Sequence, residues 1–76
     1  MLDRIHSDPT ILAGKPIIRG TRISVEMILE WFASGATRDD VLRKHPQLRA
    51  EDIEQSLAYA AAAVNNDVEL TTKVSS

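Results

Sequence analysis

The chain contains no cysteine, so neither a disulfide nor a thiolate-bound metal can hold it together. Its two histidines, His6 and His45, stand far apart with no spacing that suits a metal ion. No apolar run approaches the roughly 20 residues that a membrane span requires, and the first residues lack the apolar core of a signal peptide. No Ser-His-Asp arrangement suggests itself. The pieces Gly14-Lys15 and Gly20-Thr21 lack the residue order of a phosphate-binding loop. Catalysis, a cofactor, a bound metal and a membrane partner are therefore not expected, and a cytoplasmic binding protein is. With 76 residues there is length for one domain, expected over residues 1–66 with a tail at 67–76. So small a domain buries only about 60% of the surface that its unfolded chain exposes. Without a staple it is expected to form a homodimer or to need an obligate partner.

Charge is unevenly spread over a net −2. Residues 1–24 carry Arg4, Lys15, Arg19 and Arg22 against Asp3 and Asp8. Residues 25–49 balance. Residues 50–76 hold only Lys73 against Glu51, Asp52, Glu54, Asp67 and Glu69. The basic part suits phosphate and the acidic part a basic partner, although the whole is not the strongly basic chain of a dedicated nucleic-acid binder.

The most distinctive stretch runs from Gly14 to Val25. Ile17-Ile18 between two Gly turns reads as a short strand, with Ile11-Leu12-Ala13 as its natural partner. Residues 4–6 and 10–13 are expected to pair across the Ser7-Asp8-Pro9 break. Lys15, Arg19 and Arg22 lie in this stretch with no acid among them, so it is either a connector or a site of contact.

Three helices are expected after it. Ser24 suits the N-cap of the first, over about 24–34, and Ile23 and Ile28 form a hydrophobic staple. Val25, Ile28, Leu29 and Phe32 recur at the spacing of a buried face, and Met27 and Trp31 form a second seam. Trp31 is expected in the core or at an interface. Gly35 suits a left-handed helix end. The second helix, over about 37–44, has Thr37 as N-cap and Asp40 at the reciprocal capping-box position. Arg43 and Lys44 suit its negative end, and Pro46 stops it. The third, over about 50–65, has the staple Leu48–Ile53 and an expected buried stripe of Ile53, Leu57, Ala60, Ala61 and Val64. Tyr59 lies off that stripe, at a rim or an interface, and Asn65-Asn66 is expected to end the helix. In the tail, Val68 and Leu70 alternate with polar residues and are further interface candidates.

The architecture is thus mainly α, a trihelical helix-turn-helix bundle of the homeodomain-like kind preceded by a short β segment. In such a bundle the third helix would enter the major groove, but Glu51, Asp52 and Glu54 in its first turn would repel phosphate. The candidate DNA contacts are therefore Lys15, Arg19, Arg22, Arg38, Arg43, Lys44 and Arg49. The candidate interface residues are Met27, Trp31, Tyr59, Val68 and Leu70.

The run Gly14-Lys15-Pro16-Ile17-Ile18-Arg19-Gly20-Thr21-Arg22-Ile23-Ser24-Val25 resembles the signature of the bacterial family called domain of unknown function 433. So do Gly35-Ala36-Thr37, His45-Pro46-Gln47-Leu48, Glu51-Asp52-Ile53 and Leu57-Ala58-Tyr59-Ala60, and the resemblance covers about residues 4–62. It implies a VapB-type antitoxin that dimerises, binds its operator DNA and neutralises a PIN-like ribonuclease toxin, with the tail as toxin contact. Arg49 departs from the Ser or Thr usual there, and Arg cannot cap an amide with its side chain, so the third helix is expected to start less firmly. The alternative is a dimeric protein-interaction module without DNA binding.

Overall fold

Leu12, Ala13 and Gly14 all take positive φ, at 50°, 56° and 82°, in a single 3-10 turn, Leu12–Gly14. Left-handed backbone is unfavourable for residues with a Cβ, so this turn carries local strain. In this computed structural model, which describes the backbone of residues 2–75 and the side chains of residues 2–65, the turn decides how the N-terminal sheet is built. It swings the chain so that β2 (Ile17–Ile18) pairs antiparallel with β1 (Ile5–His6), Ile5 opposite Ile18 and His6 opposite Ile17. The expected strand at 10–13 is absent, because these residues form the reversal instead of a rung. The two strands make the whole of the sheet among the described residues.

After β2 the chain doubles back around Gly20. The Thr21 N–H donates to the carbonyl of Ile18 at 3.0 Å, and the Ile18 N–H donates to Ile23 at 2.8 Å. Gly20 takes φ 81°, which a residue with a Cβ adopts only under strain. The Thr21 hydroxyl donates to the Ile18 carbonyl and accepts from the Ile23 N–H, which locks the loop. The signature stretch is thus a turn that delivers Ser24 to the start of a helix.

Helix α1 spans Val25–Ala33, and the Ser24 hydroxyl accepts from the Met27 N–H at 3.0 Å as expected. It closes in a Schellman motif: Ala36 N–H donates to Trp31 O, and Gly35 N–H to Phe32 O. Helix α2 spans Arg38–Lys44 and opens with the full capping box of Thr37 and Asp40. Helix α3 spans Ala50–Ser75. Its start is firmer than the Arg49 side chain suggested, because the Asp52 carboxylate accepts the Arg49 N–H at 2.8 Å.

Both staples reach the core. Ile23 with Ile28 and Leu48 with Ile53 are buried, as is Val41, with Ala36 packed beside it. Ile18 completes this cluster, and Ile5, Met27, Trp31, Phe32 and Leu42 close around it. The result is three helices and a short two-stranded sheet, mainly α as the periodicity implied.

Two expectations for α3 are corrected. The helix does not end at Asn65-Asn66. Asn is only a mild helix breaker and no Gly or Pro follows, so the backbone stays helical to Ser75. The stripe also differs: Ile53 is fully buried, but Leu57 and Val64 are 46% and 53% exposed, and Ala61 is exposed. Asp52 and Ser56 take the inner positions, each fully buried. Their polarity misled the periodicity, since the apolar pattern and the buried face are offset around the helix.

Candidate functional site

The face that α3 buries is set by its first turn. Asp52 does not face outward with Glu51 and Glu54. Its carboxylate receives the Arg4 Nε at 2.6 Å and Nη2 at 3.3 Å, besides the Arg49 N–H. The Arg4 side chain is 19% exposed. This bond and the nearby acid charge raise the Arg4 pKa above its ordinary value. Gln55 joins the same cluster: it accepts the Arg4 N–H at 2.8 Å and donates to Asp3 at 2.9 Å. That bond holds the Asp3 carboxyl below the usual carboxylate range. The Ser56 hydroxyl donates to the Asp52 carbonyl at 2.8 Å, which satisfies it inside the fold. The N-terminal strand and α3 are thereby locked together by polar contacts. The Arg49–Asp52 spacing is that of half a capping box, a signal the reading of Asp52 as a surface acid passed over, and nothing local in the sequence linked Arg4 to Asp52.

Most of the expected phosphate contacts already have partners. Lys15 pairs with Glu26 at 2.8 Å, which raises the Lys15 pKa. Arg38 pairs with Glu54, Arg43 with Asp40 at 2.6 Å, and Arg49 more loosely with Glu51 at 3.4 Å. Arg19 donates from Nε to the Asp3 carbonyl at 2.9 Å. Among the described residues, Arg22 and Lys44 alone of the seven have neither an ion pair nor such a bond; both are exposed. The Asp40 carboxyl lies below its usual value, chiefly through the Thr37 N–H and hydroxyl and then Arg43. The seven are spread over four places: Lys15 just before β2, Arg19 and Arg22 in the loop after it, Arg38, Arg43 and Lys44 on α2, and Arg49 at the head of α3. From Ala50 to Thr72, α3 itself carries no Lys or Arg.

The opposite chemistry marks the middle of α3. No charged residue occurs from Gln55 to Asn66. Within that stretch Leu57, Ala58, Ala61, Ala62, Ala63, Val64 and Asn65 are exposed. Beside them runs a largely apolar groove of about 290 Å³ between α1 and α3, lined by Pro16, Leu29, Tyr59, Ala60, Ala63 and Val64 among others, with Glu26, the partner of Lys15, as its one charged lining residue. Of the interface candidates, half-buried Tyr59 borders this groove. Met27 and Trp31 are half-buried in the outer layer of the core. The side chains of Val68 and Leu70 lie outside the described residues.

Trp31 has a partner that sequence reasoning missed. His45 stacks on it with ring centroids 4.2 Å apart and planes 8° from parallel. A small cleft of about 150 Å³ opens beside the pair, next to Asp40 and Lys44. His6 is half-buried in β1, with Nδ1 buried and unpartnered. Among the described residues, no group of three His, Cys, Asp or Glu is placed to hold a metal. No helix there is long and apolar enough to cross a membrane.

Comparison with known proteins places the chain in context. The family described as protein of unknown function, DUF433, matches residues 5–60. An uncharacterized protein of Sinorhizobium fredii, y4eO, is 38% identical over 58 residues, which is 76% of this chain but 26% of that protein. The chain thus spans about a quarter of the length of that curated relative. The crystal structure of a DUF433 member protein from Anabaena variabilis superposes with a TM-score of 0.79 at 28% identity, covering 91% of this chain and 69% of that one.

Proposed function

The chain belongs to the DUF433 family, and from that premise and the surfaces described above we propose that it is a cytoplasmic VapB-like antitoxin that works by protein contact. It dimerises, neutralises a PIN-like ribonuclease toxin by binding it, and itself catalyses nothing. The observation that carries this reading is the charge-free, exposed middle of α3 beside an apolar groove. Contiguous apolar surface on a small domain is the mark of a protein-binding face. The continuation of α3 to Ser75 gives the toxin contact a helical backbone to lie along. Operator binding, in this reading, falls to Arg22 and Lys44 and to whichever paired arginines a phosphate can recruit, not to α3.

A second reading, a dimeric interaction module without DNA binding, is favoured by one observation: five of the seven basic candidates are already engaged. Both readings are tested by purifying the chain together with a PIN-like ribonuclease from the same host. Stoichiometric inhibition of RNA cleavage, with retention of upstream DNA by the complex, supports the first. Inhibition without DNA retention supports a toxin-binding module. An uninhibited nuclease that does not co-purify overturns the antitoxin assignment.

A further inference from the structure

We propose that the cleft between the end of α1 and α2, walled by the stacked rings of Trp31 and His45, is a binding site for a small carboxylate that carries a single planar ring, with Lys44 as its counter-charge. The inference goes beyond the antitoxin reading and does not rest on it.

Four observations lead to this ligand. First, the residues that line the cleft have donors to spare. Lys44 is exposed and pairs with no acid among the described residues. The Trp31 indole N–H and the His45 imidazole have no hydrogen-bond partner among them either, and neither is sealed from solvent. Three side chains thus offer N–H groups that only water now satisfies.

Second, the acceptors that border the cleft are already engaged. One Asp40 carboxylate oxygen, Oδ2, accepts the Thr37 N–H at 2.9 Å, and the other, Oδ1, accepts from the Arg43 guanidinium at 2.6 Å. The Trp31 carbonyl accepts the Ser34 hydroxyl at 2.8 Å and the Ala36 N–H at 3.1 Å. Arg43 offsets the Asp40 charge, which leaves Lys44 as the uncompensated charge of the lining. Free donors, engaged acceptors and one uncompensated cation select an anion.

Third, the walls are not those of a site for an inorganic anion. Ala36, the buried Val41 and the indole of Trp31 give the cleft apolar sides. A phosphate ion would leave that surface wet, whereas a flat ring removes it from water. A carboxylate for Lys44 and an aromatic body for the walls answer both halves of the lining.

Fourth, size and rigidity agree. The cleft holds about 150 Å³, the volume that admits one benzene-sized ring. His45 stacks on Trp31 with planes 8° from parallel, so the two rings hold each other in place before any ligand arrives. Little side-chain freedom is then lost on binding. A ligand of about ten non-hydrogen atoms in an open cleft has an affinity on the order of 1 mM. Lys44 is also one of the two basic side chains assigned above to operator DNA, so a bound carboxylate competes with that contact.

The test is a titration of the full chain with sodium benzoate, followed by proton–nitrogen correlation NMR. The chain has a single tryptophan, so its indole N–H signal reports from the wall of the cleft. Benzoate is expected to shift that signal saturably, with half-saturation near about 1 mM. Benzamide, the same ring without the charge, and inorganic phosphate are each expected to bind at least about 10-fold more weakly. Lys44→Met removes the charge from an exposed side chain, keeps the helical circular dichroism, and weakens benzoate at least about 10-fold. His45→Phe keeps a ring against Trp31 but removes the imidazole donor, and weakens benzoate about 3-fold. The proposal is overturned by the absence of a saturable shift at about 30-fold above that concentration. Benzamide or phosphate binding as tightly as benzoate overturns it too, as does a Lys44→Met variant that binds benzoate like the wild type. The titration contains neither DNA nor nuclease, so its failure leaves the antitoxin reading standing.

Discussion

Replacing Asp52 with Ala is the perturbation that strikes the structure hardest for the least change in volume. Asp52 is fully buried and receives three donors, two from the Arg4 guanidinium and one from the Arg49 N–H. Its removal leaves a guanidinium that is only 19% exposed without its counter-charge, and strips the head of α3 of its cap. Removing one member of a buried pair costs about 3–5 kcal/mol; the partial exposure of Arg4 places this case near the lower figure, about 3 kcal/mol. A domain of this length has a total stability of about 4–11 kcal/mol. Each kcal/mol moves the Tm of a small domain by about 4–8 °C, so the variant is expected to melt about 12–24 °C below the wild type. Thermal and urea unfolding followed by far-UV circular dichroism read this directly. Asp52→Asn keeps the acceptor for the Arg49 N–H and should lose less. The double replacement Arg4→Met with Asp52→Leu removes both charges and should recover most of the loss. A fall in Tm below about 5 °C for Asp52→Ala would refute the reasoning, because it would place the pair among exposed ion pairs of little worth.

Three further outcomes are expected. The Asp40 carboxyl lies below its ordinary 3.8 in the folded chain, so its contribution is fully present above that pH and is lost as pH falls through the folded value. The stability gap between wild type and Asp40→Ala, measured by urea midpoints, should therefore be constant from pH 7 to about 5 and shrink below about pH 4; a gap unchanged down to about pH 2.5 would contradict it. Thr37→Ala should lose about 1 kcal/mol, read by the same titration, through the missing half of the capping box; no loss would mean that water replaces the hydroxyl fully. If upstream DNA is bound, Arg22→Ala and Lys44→Ala should each lower the slope of log affinity against log salt by about one. Arg43→Ala, whose side chain holds Asp40, should lower it less. Equal slopes for all three and the wild type would remove these residues from the contact.

Helix capping was the most readable feature of the sequence, because it is local. Ser24, Thr37 with Asp40, and Gly35 do what their types and spacings imply. The staples were readable for the same reason: only four residues lie between Ile23 and Ile28, and between Leu48 and Ile53. What was hidden depends on partners far along the chain. Arg4 and Asp52 are 48 residues apart, and without their bond Asp52 reads as one more surface acid. That one bond explains both the displaced α3 stripe and the exposed Leu57. The N-terminal strand pairing was misjudged because Leu12 and Ala13 adopt positive φ, which neither residue type signals. The acids that engage the basic candidates were hidden for the same reason: Lys15 meets Glu26 and Arg38 meets Glu54, across elements. The stacking of His45 on Trp31 is equally non-local.

The antitoxin reading meets its most direct test in the host cell. The tagged chain is captured under mild conditions and its companions are identified by mass spectrometry. The captured complex is then assayed for RNA cleavage before and after the chain is removed by denaturation and the companion refolded. Recovery of a small nuclease in fixed ratio, silent while bound and active once freed, is the expected result. Recovery of the chain with itself alone, or with a nuclease that cleaves equally well in the complex, would contradict a neutralising role.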